Sequence, residues 1–288
     1  MSKSGEIAAL INLIEDPDEL VYQTITERFI EHGNPIIPIL KEQLDFTEDL
    51  EVQRRIEEIL FKISVTVLEK SLENWNEFSE NGMKHASIFI SHFLDNETDK
   101  DDVLFELEKI KRSIWIEMND YLTPLEEVNI INKILFSNFR FSGIKSKEIA
   151  LNEFDFNKLL LSKKGNRFPM AALYSILCDM LGLEVKPVDI PNQNLLAYFS
   201  NDNSIMEKSG DTILFFIDPM SGQIYTHKHI LEYLKKTDNN LQIDLIEQIT
   251  TKNYIKKWLY GIANFFKGTG ELAKYSSIVQ LADKFVEQ

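Results

Sequence analysis

Long apolar runs, repeated cysteines and an excess of cationic side chains are all missing from this 288-residue sequence. Apolar runs such as Ile36–Leu40 and Ile213–Ile217 are far shorter than the roughly 20 residues that a transmembrane helix needs, so no membrane span is expected. The single cysteine excludes an internal disulfide and fits a reducing compartment. The first residues, MSKSGEIAAL, contain no apolar signal-peptide stretch. These absences predict a cytoplasmic protein.

The charge balance is strongly acidic. Lys and Arg number 31 against 46 Asp and Glu, which gives a formal net charge of −15. Such a field repels a phosphate backbone, so we expect no nucleic-acid partner. The tail from Lys252 onward reverses the local balance, with six Lys against three acids. Two interpretations stay open for this tail: it docks on the acidic remainder of the chain, or its lysines form a solvated helix face.

The first sixty or so residues have the pattern of short, well-punctuated helices. Asp16 as an N-cap and Pro17 at the first helical position predict a helix start, and Gly33 predicts its end. Asn34-Pro35 then predicts the start of another helix. Such helix pairs resemble HEAT-type repeats, but a free-standing solenoid needs about three of them. We therefore expect a helical cap that packs on the next module.

The pattern changes after Thr123-Pro124, where Glu126 is placed to complete a capping box. An apolar helix, Met170–Leu181, is followed by four strand-like segments and then by helices. The predicted strands are Glu184–Ile190, Asn194–Phe199, Thr212–Asp218 and Gln223–His227, and the predicted helices after them are Leu241–Gln248, Tyr254–Phe266 and Glu271–Phe285. One buried helix followed by a run of strands predicts an α+β fold with an antiparallel sheet. The expected regions are 1–120 (helical), 121–235 (α+β core) and 236–288 (C-terminal helices).

Several short motifs occur in order between residues 132 and 222. The segments are Asn157–Leu160 with Gly165-Asn166, Leu181–Leu183, Pro191–Leu195 and Ile217–Gly222. They correspond in position to the family patterns N-K-x-L-x-x-x-x-G-N, L-G-L, P-G-H-F-L and I-D-P-x-x-G. In this order and spacing they resemble SirB1-like members of the transglutaminase-like superfamily, which has a papain-like core.

The resemblance implies where a catalytic triad would lie. In active members of the superfamily a Cys thiolate at a helix N-terminus attacks a carbonyl, a His on the next strand acts as base, and an Asp orients the His. Those three positions fall here at Arg167, Gln193 and Asp218. Arg cannot attack a carbonyl, and Gln cannot take up a proton at neutral pH. The resemblance therefore implies a degenerate triad with no catalytic residue.

Asp218 is the one triad position that keeps its residue type, and its role stays open. In Asp-Pro-Met-Ser-Gly it can cap the following turn with its own side chain. Alternatively, it can hydrogen-bond Gln193 across the groove or form an ion pair with Arg167.

The remaining reactive side chains have ordinary structural interpretations. Cys178 lies near the C-terminal end of the helix that follows the nucleophile position, where the dipole and apolar neighbours suppress a thiolate, so we expect a core cysteine. His227 and His229 alternate on a predicted strand and make at most half of a metal site. His85 and His92 lie seven apart on a helix without an acidic ligand pattern. No phosphate-binding motif occurs, so no nucleotide cofactor is predicted. Because the histidines lack further metal-ligating neighbours in the sequence, no metal is predicted either.

Two function classes compete with the one that the resemblance favours. A catalytically inactive transglutaminase-like module that binds a protein or peptide, or serves as a scaffold for one, fits the degenerate triad. The alternatives are an active transglutaminase-like hydrolase or acyl transferase with an unrecognised nucleophile, and a purely structural protein. The state of the groove around Arg167, Gln193 and Asp218 separates them, because an open cleft favours ligand binding and a filled one favours a scaffold.

Overall fold

The computed structural model describes residues 3–75, 81–144, 149–191, 193–200, 212–237 and 246–287. The N-terminal helices are α1 (Lys3–Asn12), α2 (Glu19–His32), α3 (Ile37–Phe46) and α4 (Leu50–Glu73). They share an apolar core of their own, which includes Phe29, Leu40 and Ile59. The C-terminal half of α4 also contributes Leu68 and Leu72 to a second, larger apolar core. The N-terminal helices thus connect to the rest of the protein through α4.

The start of α2 differs from the predicted one. The N-cap is Asp18, whose Oδ1 accepts a hydrogen bond from Leu20 N–H at 2.8 Å. Asp16 instead accepts a hydrogen bond from the backbone N–H of Asp18 at 2.9 Å. Asp16 was therefore the wrong cap by two residues, because Pro17 lies in the turn before the helix rather than in its first position. The predicted end at Gly33 is confirmed.

Three further helices follow: α5 (Gly82–Leu94), α6 (Lys100–Trp115) and α7 (Pro124–Asn132). The predicted capping box is present, since Glu126 Oε2 accepts from Thr123 N–H at 2.8 Å and Thr123 Oγ1 accepts from Glu126 N–H at 3.4 Å. After α7 the chain continues through a π-helical turn, Lys133–Asn138. None of the described helices is long and apolar enough to cross a membrane.

The central part of the chain contains α8 (Phe156–Ser162), α9 (Arg167–Leu181) and a four-stranded sheet. The strands are β3 (Val185–Pro187), β4 (Leu196–Ser200), β5 (Thr212–Ile217) and β6 (Ile224–Tyr225), paired antiparallel in the order β3-β4-β5-β6. A separate parallel pair joins β1 (Ser142–Gly143) to β2 (Lys164–Gly165). The helices and the antiparallel sheet confirm the predicted α+β fold.

The sheet lies between two apolar layers because its side chains alternate. Leu196 and Tyr198 of β4 join the large core around α9, whereas Ala197 and Phe199 join a smaller core on the other face. That smaller core also contains Ile230 of α10 (His227–Lys236). The sheet is therefore held between α9 and α10.

The predicted strands are longer than the observed ones, and one is partly wrong. His227 begins α10 rather than ending a strand. The predicted helix Leu241–Gln248 has most of its length outside the described residues, and Gln248 forms an isolated bridge with Val188 instead of a helical turn. Short edge strands pair only where a neighbour is available, which hydrophobic alternation alone does not reveal.

The chain ends in a helical hairpin, α11 (Thr251–Thr269) and α12 (Leu272–Glu287). Lys284 of α12 reaches Glu73 of α4 at 3.2 Å and also contacts Glu69. Lys257 of α11 contacts Asp189 at 2.5 Å. The basic tail therefore docks on acidic residues elsewhere in the chain, although exposed pairs of this kind contribute only about 0–1 kcal/mol each. The large core draws residues from all three predicted regions, and their boundaries stay a prediction.

Candidate functional site

An open cleft lies at the N-terminal end of α9. Its volume is about 630 Å³. Its walls are the start of α9, the segment that leads into β4, the turn after β5, and α10. Arg167, Gln193 and Asp218 all line it, together with Ile144, Ile149, Asn166, Asn194, Leu195, Met220, Gln223, Tyr225, His229, Ile230, Glu232, Tyr233 and Lys236. The structure thus places the three residues singled out in the sequence on one open cleft.

A side-chain cap fixes the start of α9. Asn166 has an extended backbone, and its Oδ1 accepts a hydrogen bond from Phe168 N–H at 2.9 Å, so that the helix begins at Arg167. Pro169 lies in the first turn, where its missing N–H leaves no intrahelical bond unmade. Arg167 is exposed, and its guanidinium makes no hydrogen bond or ion pair within the part of the chain that the structure describes.

Aromatic residues from distant parts of the chain hold this helix start in place. The ring of Phe168 stacks on Phe154 with centroids 6.1 Å apart and on Trp258 of α11 with centroids 6.4 Å apart. Tyr254 of α11 donates its hydroxyl to the Phe168 carbonyl at 2.8 Å. The C-terminal hairpin therefore positions the residue next to Arg167, although it contributes no side chain to the lining of the cleft.

Asp218 uses both carboxylate oxygens within its own turn. Oδ1 accepts from Met220 N–H at 2.9 Å, and Oδ2 accepts from the Ser221 hydroxyl at 2.7 Å. Its backbone carbonyl accepts from Gly222 N–H at 2.8 Å. Across the described residues there is neither an ion pair between Arg167 and Asp218 nor a side-chain hydrogen bond between Gln193 and Asp218. Of the three roles considered for Asp218, the turn cap is the one observed.

The α10 wall of the cleft was missed in the sequence. His229, Glu232, Tyr233 and Lys236 of α10 line this wall, and their spacing places them on one side of the helix, while Tyr225 of β6 adjoins it. The capping-box spacing Thr-x-x-His before an amphipathic stretch was a usable signal for it.

The histidines of this segment do not alternate on a strand, so that prediction was wrong. Thr226 N–H donates to His229 Nδ1 at 3.1 Å, which caps the first turn of α10. Side chains two apart on a helix point about 200° apart, so His227 and His229 cannot share a metal ion as neighbours on one face. The described residues contain no group of three or more His, Cys, Asp or Glu side chains placed to hold a metal.

The other singled-out side chains lie outside the cleft. Cys178 is buried in the large core at the far end of α9, and burial raises the pKa of its thiol well above the usual value. His85 and His92 both lie on α5, where burial lowers the pKa of His85 and Asn34 Nδ2 lies 3.4 Å from His92 Nε2. None of the three can take part in chemistry at Arg167.

Native-state labelling tests the interpretation of Cys178. We expect the folded protein to react slowly with a thiol reagent at neutral pH, because the thiol is inaccessible and its pKa is raised. The denatured chain, as the control, should label at once. Cys178→Ala should lower the free energy of unfolding by about 1 kcal/mol and leave the cleft unchanged. Rapid labelling of the native protein would contradict this interpretation.

One family model matches more than half of the chain. The model of the Transglutaminase-like superfamily matches residues 101–260, which include α9, the described sheet and all of the residues that line the cleft. No curated protein and no solved structure matches the chain significantly.

Proposed function

Because the chain belongs to the transglutaminase-like superfamily, we propose that it is a degenerate, SirB1-like member that binds a protein or peptide segment without catalysis. In this proposal residues 121–235 form the core and the helices on either side support it. The single cysteine fits a reducing compartment, and the proposal places the protein in the cytoplasm. No cofactor or metal takes part.

The observation that carries the proposal is the residue at the start of α9. Arg167 stands where the superfamily resemblance assigns the nucleophile, and Arg has no lone pair available for attack on a carbonyl. The described lining of the cleft contains no Cys, Ser or Thr side chain. Cys178 lies eleven residues along the same helix, which at 1.5 Å per residue is about 16 Å away. That distance excludes it as a substitute nucleophile.

The open cleft favours ligand binding over a purely structural role. Its volume of about 630 Å³ falls in the range typical of ligand sites. Apolar side chains such as Leu195, Met220 and Ile230 line it beside polar ones, including Arg167 and His229. This combination suits a peptide, whose side chains need apolar contacts and whose polar groups need hydrogen-bond partners. A scaffold that had lost its ligand would have no need of an open groove.

An activity assay with a restored triad tests the inactive part of the proposal. We expect the unmodified protein to incorporate no fluorescent amine into a glutamine-containing substrate, and to hydrolyse no amide, above background. Arg167→Cys combined with Gln193→His should add little activity, because Asp218 is committed to its own turn and is not free to orient the new imidazole. Catalytic groups must be held within roughly 0.5 Å of their productive positions.

Turnover by the unmodified protein would contradict the proposal, above all if Asp218→Ala abolished it. Cys178→Ala is the matched control in that experiment, since it removes the one thiol of the chain without touching the cleft. Activity that survived Cys178→Ala would indicate a nucleophile outside the expected position.

A further inference from the structure

The charge of Arg167 is unusual for its position in the fold. The side chain occupies the first residue of a fifteen-residue helix, where the backbone dipole is positive and favours anions. A cation there is opposed by the dipole unless an anion lies beside it. Within the described residues no carboxylate pairs with the guanidinium, although the chain carries 46 Asp and Glu residues. As far as the described residues show, the start of α9 is therefore a site of positive potential without a paired carboxylate, and it opens on the cleft.

Two side-chain amides in the lining have no hydrogen-bond acceptor among the described residues. Asn166 is only 3% exposed, and its Oδ1 caps α9 while its Nδ2 has no partner among the described residues. Asn194 Nδ2 is also buried and has no hydrogen-bond partner in the part of the chain that the structure describes. A buried amide N–H without an acceptor raises the free energy of the folded protein. Each of these groups is therefore stabilised when it donates to an oxygen, either directly or through one ordered water. A bound oxyanion supplies such oxygens.

The histidine of the cleft adds another donor. Because Thr226 N–H donates to His229 Nδ1, the ring proton of the neutral imidazole resides on Nε2. Lys236, about two turns further along α10, adds a second cation to the lining. On the negative side stand Asp218, whose oxygens are engaged in its turn, and Glu232. The described lining therefore carries two cationic side chains, Arg167 and Lys236, and two carboxylates, one of which is engaged in its own turn.

We infer that the ligand of this cleft carries a carboxylate, which binds between the guanidinium of Arg167 and the first turn of α9. The inference rests on the proposed binding function and names the chemistry that the site recognises. The carboxylate comes either from an Asp or Glu side chain of a peptide or from its free C-terminus. A singly charged group fits better than a doubly charged phosphate, because Glu232 borders the cleft and the net charge is −15.

Arg167 suits this task because its planar guanidinium can hold both carboxylate oxygens with two parallel N–H···O bonds. The aliphatic side chains of Leu195, Met220 and Ile230 lie in the same cleft. The preferred segment is therefore an acidic residue, or a C-terminus, flanked by aliphatic residues.

Peptide titrations monitored by NMR of the ¹⁵N-labelled full chain test the inference. The probes are acetyl-Ala-Leu-Leu-Glu-Leu-Ala-amide, the same peptide with Gln in place of Glu, and acetyl-Ala-Leu-Leu with either a free or an amidated C-terminus. We expect a carboxylate peptide to bind about 10- to 100-fold more tightly than its neutral counterpart, as a charged hydrogen-bonded pair does. Its binding should shift the side-chain amide signals of Asn166 and Asn194.

Arg167→Gln should remove this preference, whereas Arg167→Lys should keep part of it by retaining the charge. Arg112→Gln is the matched control: it removes the same charge from an exposed position on α6 that does not line the cleft, and it should leave the preference intact. Arg167 is exposed, so its replacement is not expected to unfold the chain.

The outcomes separate the inference from the function on which it rests. A preference for Glu alone identifies a side-chain carboxylate, and a preference for the free terminus alone identifies a C-terminus. Equal binding of the Glu and Gln peptides, together with equal binding of the free and amidated C-termini, would overturn the carboxylate and leave the binding function standing. Failure of every carboxylate peptide to bind at about 10 mM would also overturn it. Conversion of any peptide to product would refute the proposed function itself.

Discussion

Replacing Trp258 by Ala is expected to lower the free energy of unfolding by about 3–5 kcal/mol, as removal of a large buried aromatic side chain does. Trp258 is fully buried in α11. Its indole N–H donates to the Phe154 carbonyl at 3.2 Å, and its ring stacks on Phe168. The substitution therefore leaves a cavity, orphans a buried carbonyl and removes one face of the aromatic stack.

Trp115→Ala is the matched control, because Trp115 is 67% exposed. It should change the free energy of unfolding by no more than about 0.5 kcal/mol. Trp258→Phe should fall in between, since a ring remains but the indole N–H is lost. Urea midpoints followed by far-ultraviolet circular dichroism give the comparison without relying on tryptophan emission. A Trp258→Ala midpoint equal to that of Trp115→Ala would contradict the role assigned to Trp258.

The same substitution connects stability to the cleft. Phe168 follows Arg167 directly, and Trp258 and Phe154 clamp its ring. Loss of the indole should therefore loosen the first turn of α9 and lower the affinity for any ligand held there, even at temperatures where the chain remains folded. The packing that stabilises the C-terminal hairpin therefore also positions the first turn of α9 at the site.

Local signals predicted the parts of the fold that depend on near neighbours. The capping box at Thr123 and the end of α2 at Gly33 each depend on residues within about four positions of one another. Hydrophobic alternation also located the two central strands, although it overestimated their lengths. These features are decided by propensity and capping before any tertiary contact forms.

Features that rest on distant partners were not predictable in the same way. Phe168 packs against Tyr254 and Trp258 of α11, which lie 86 and more positions away in the sequence. No periodicity in either segment predicts this contact. The α10 wall was missed because His227 and His229 lie two residues apart, a spacing that also fits one face of a strand. The motif order brought Arg167, Gln193 and Asp218 under consideration, but it contained no information about the donors that surround them.

The turn that carries Asp218 depends on a glycine for two separate reasons. Gly222 has a φ of +74°. This left-handed backbone conformation is strained for any residue that has a side chain. A Cβ added there would also lie 2.7 Å from Asn132 Oδ1 and 2.7 Å from the ring of Phe136. Asn132 cannot simply move away, because its Nδ2 donates to the Gly222 carbonyl at 2.8 Å and its Oδ1 accepts from Tyr174 at 3.0 Å.

Three Gly→Ala substitutions separate these two costs. Gly268→Ala, in α11 with open space around it, should raise the free energy of unfolding by about 0.5–1 kcal/mol because alanine favours a helix. Gly182→Ala has a φ of +73° but meets no neighbour, so backbone strain alone should lower that free energy by about 1–2 kcal/mol. Gly222→Ala adds the steric clash and should lower it by about 2–5 kcal/mol. Urea midpoints of the three variants measure the order. Equal losses for Gly222→Ala and Gly182→Ala would mean that Asn132 and Phe136 yield freely, and the turn would then not hold Asp218 as rigidly as its hydrogen bonds imply.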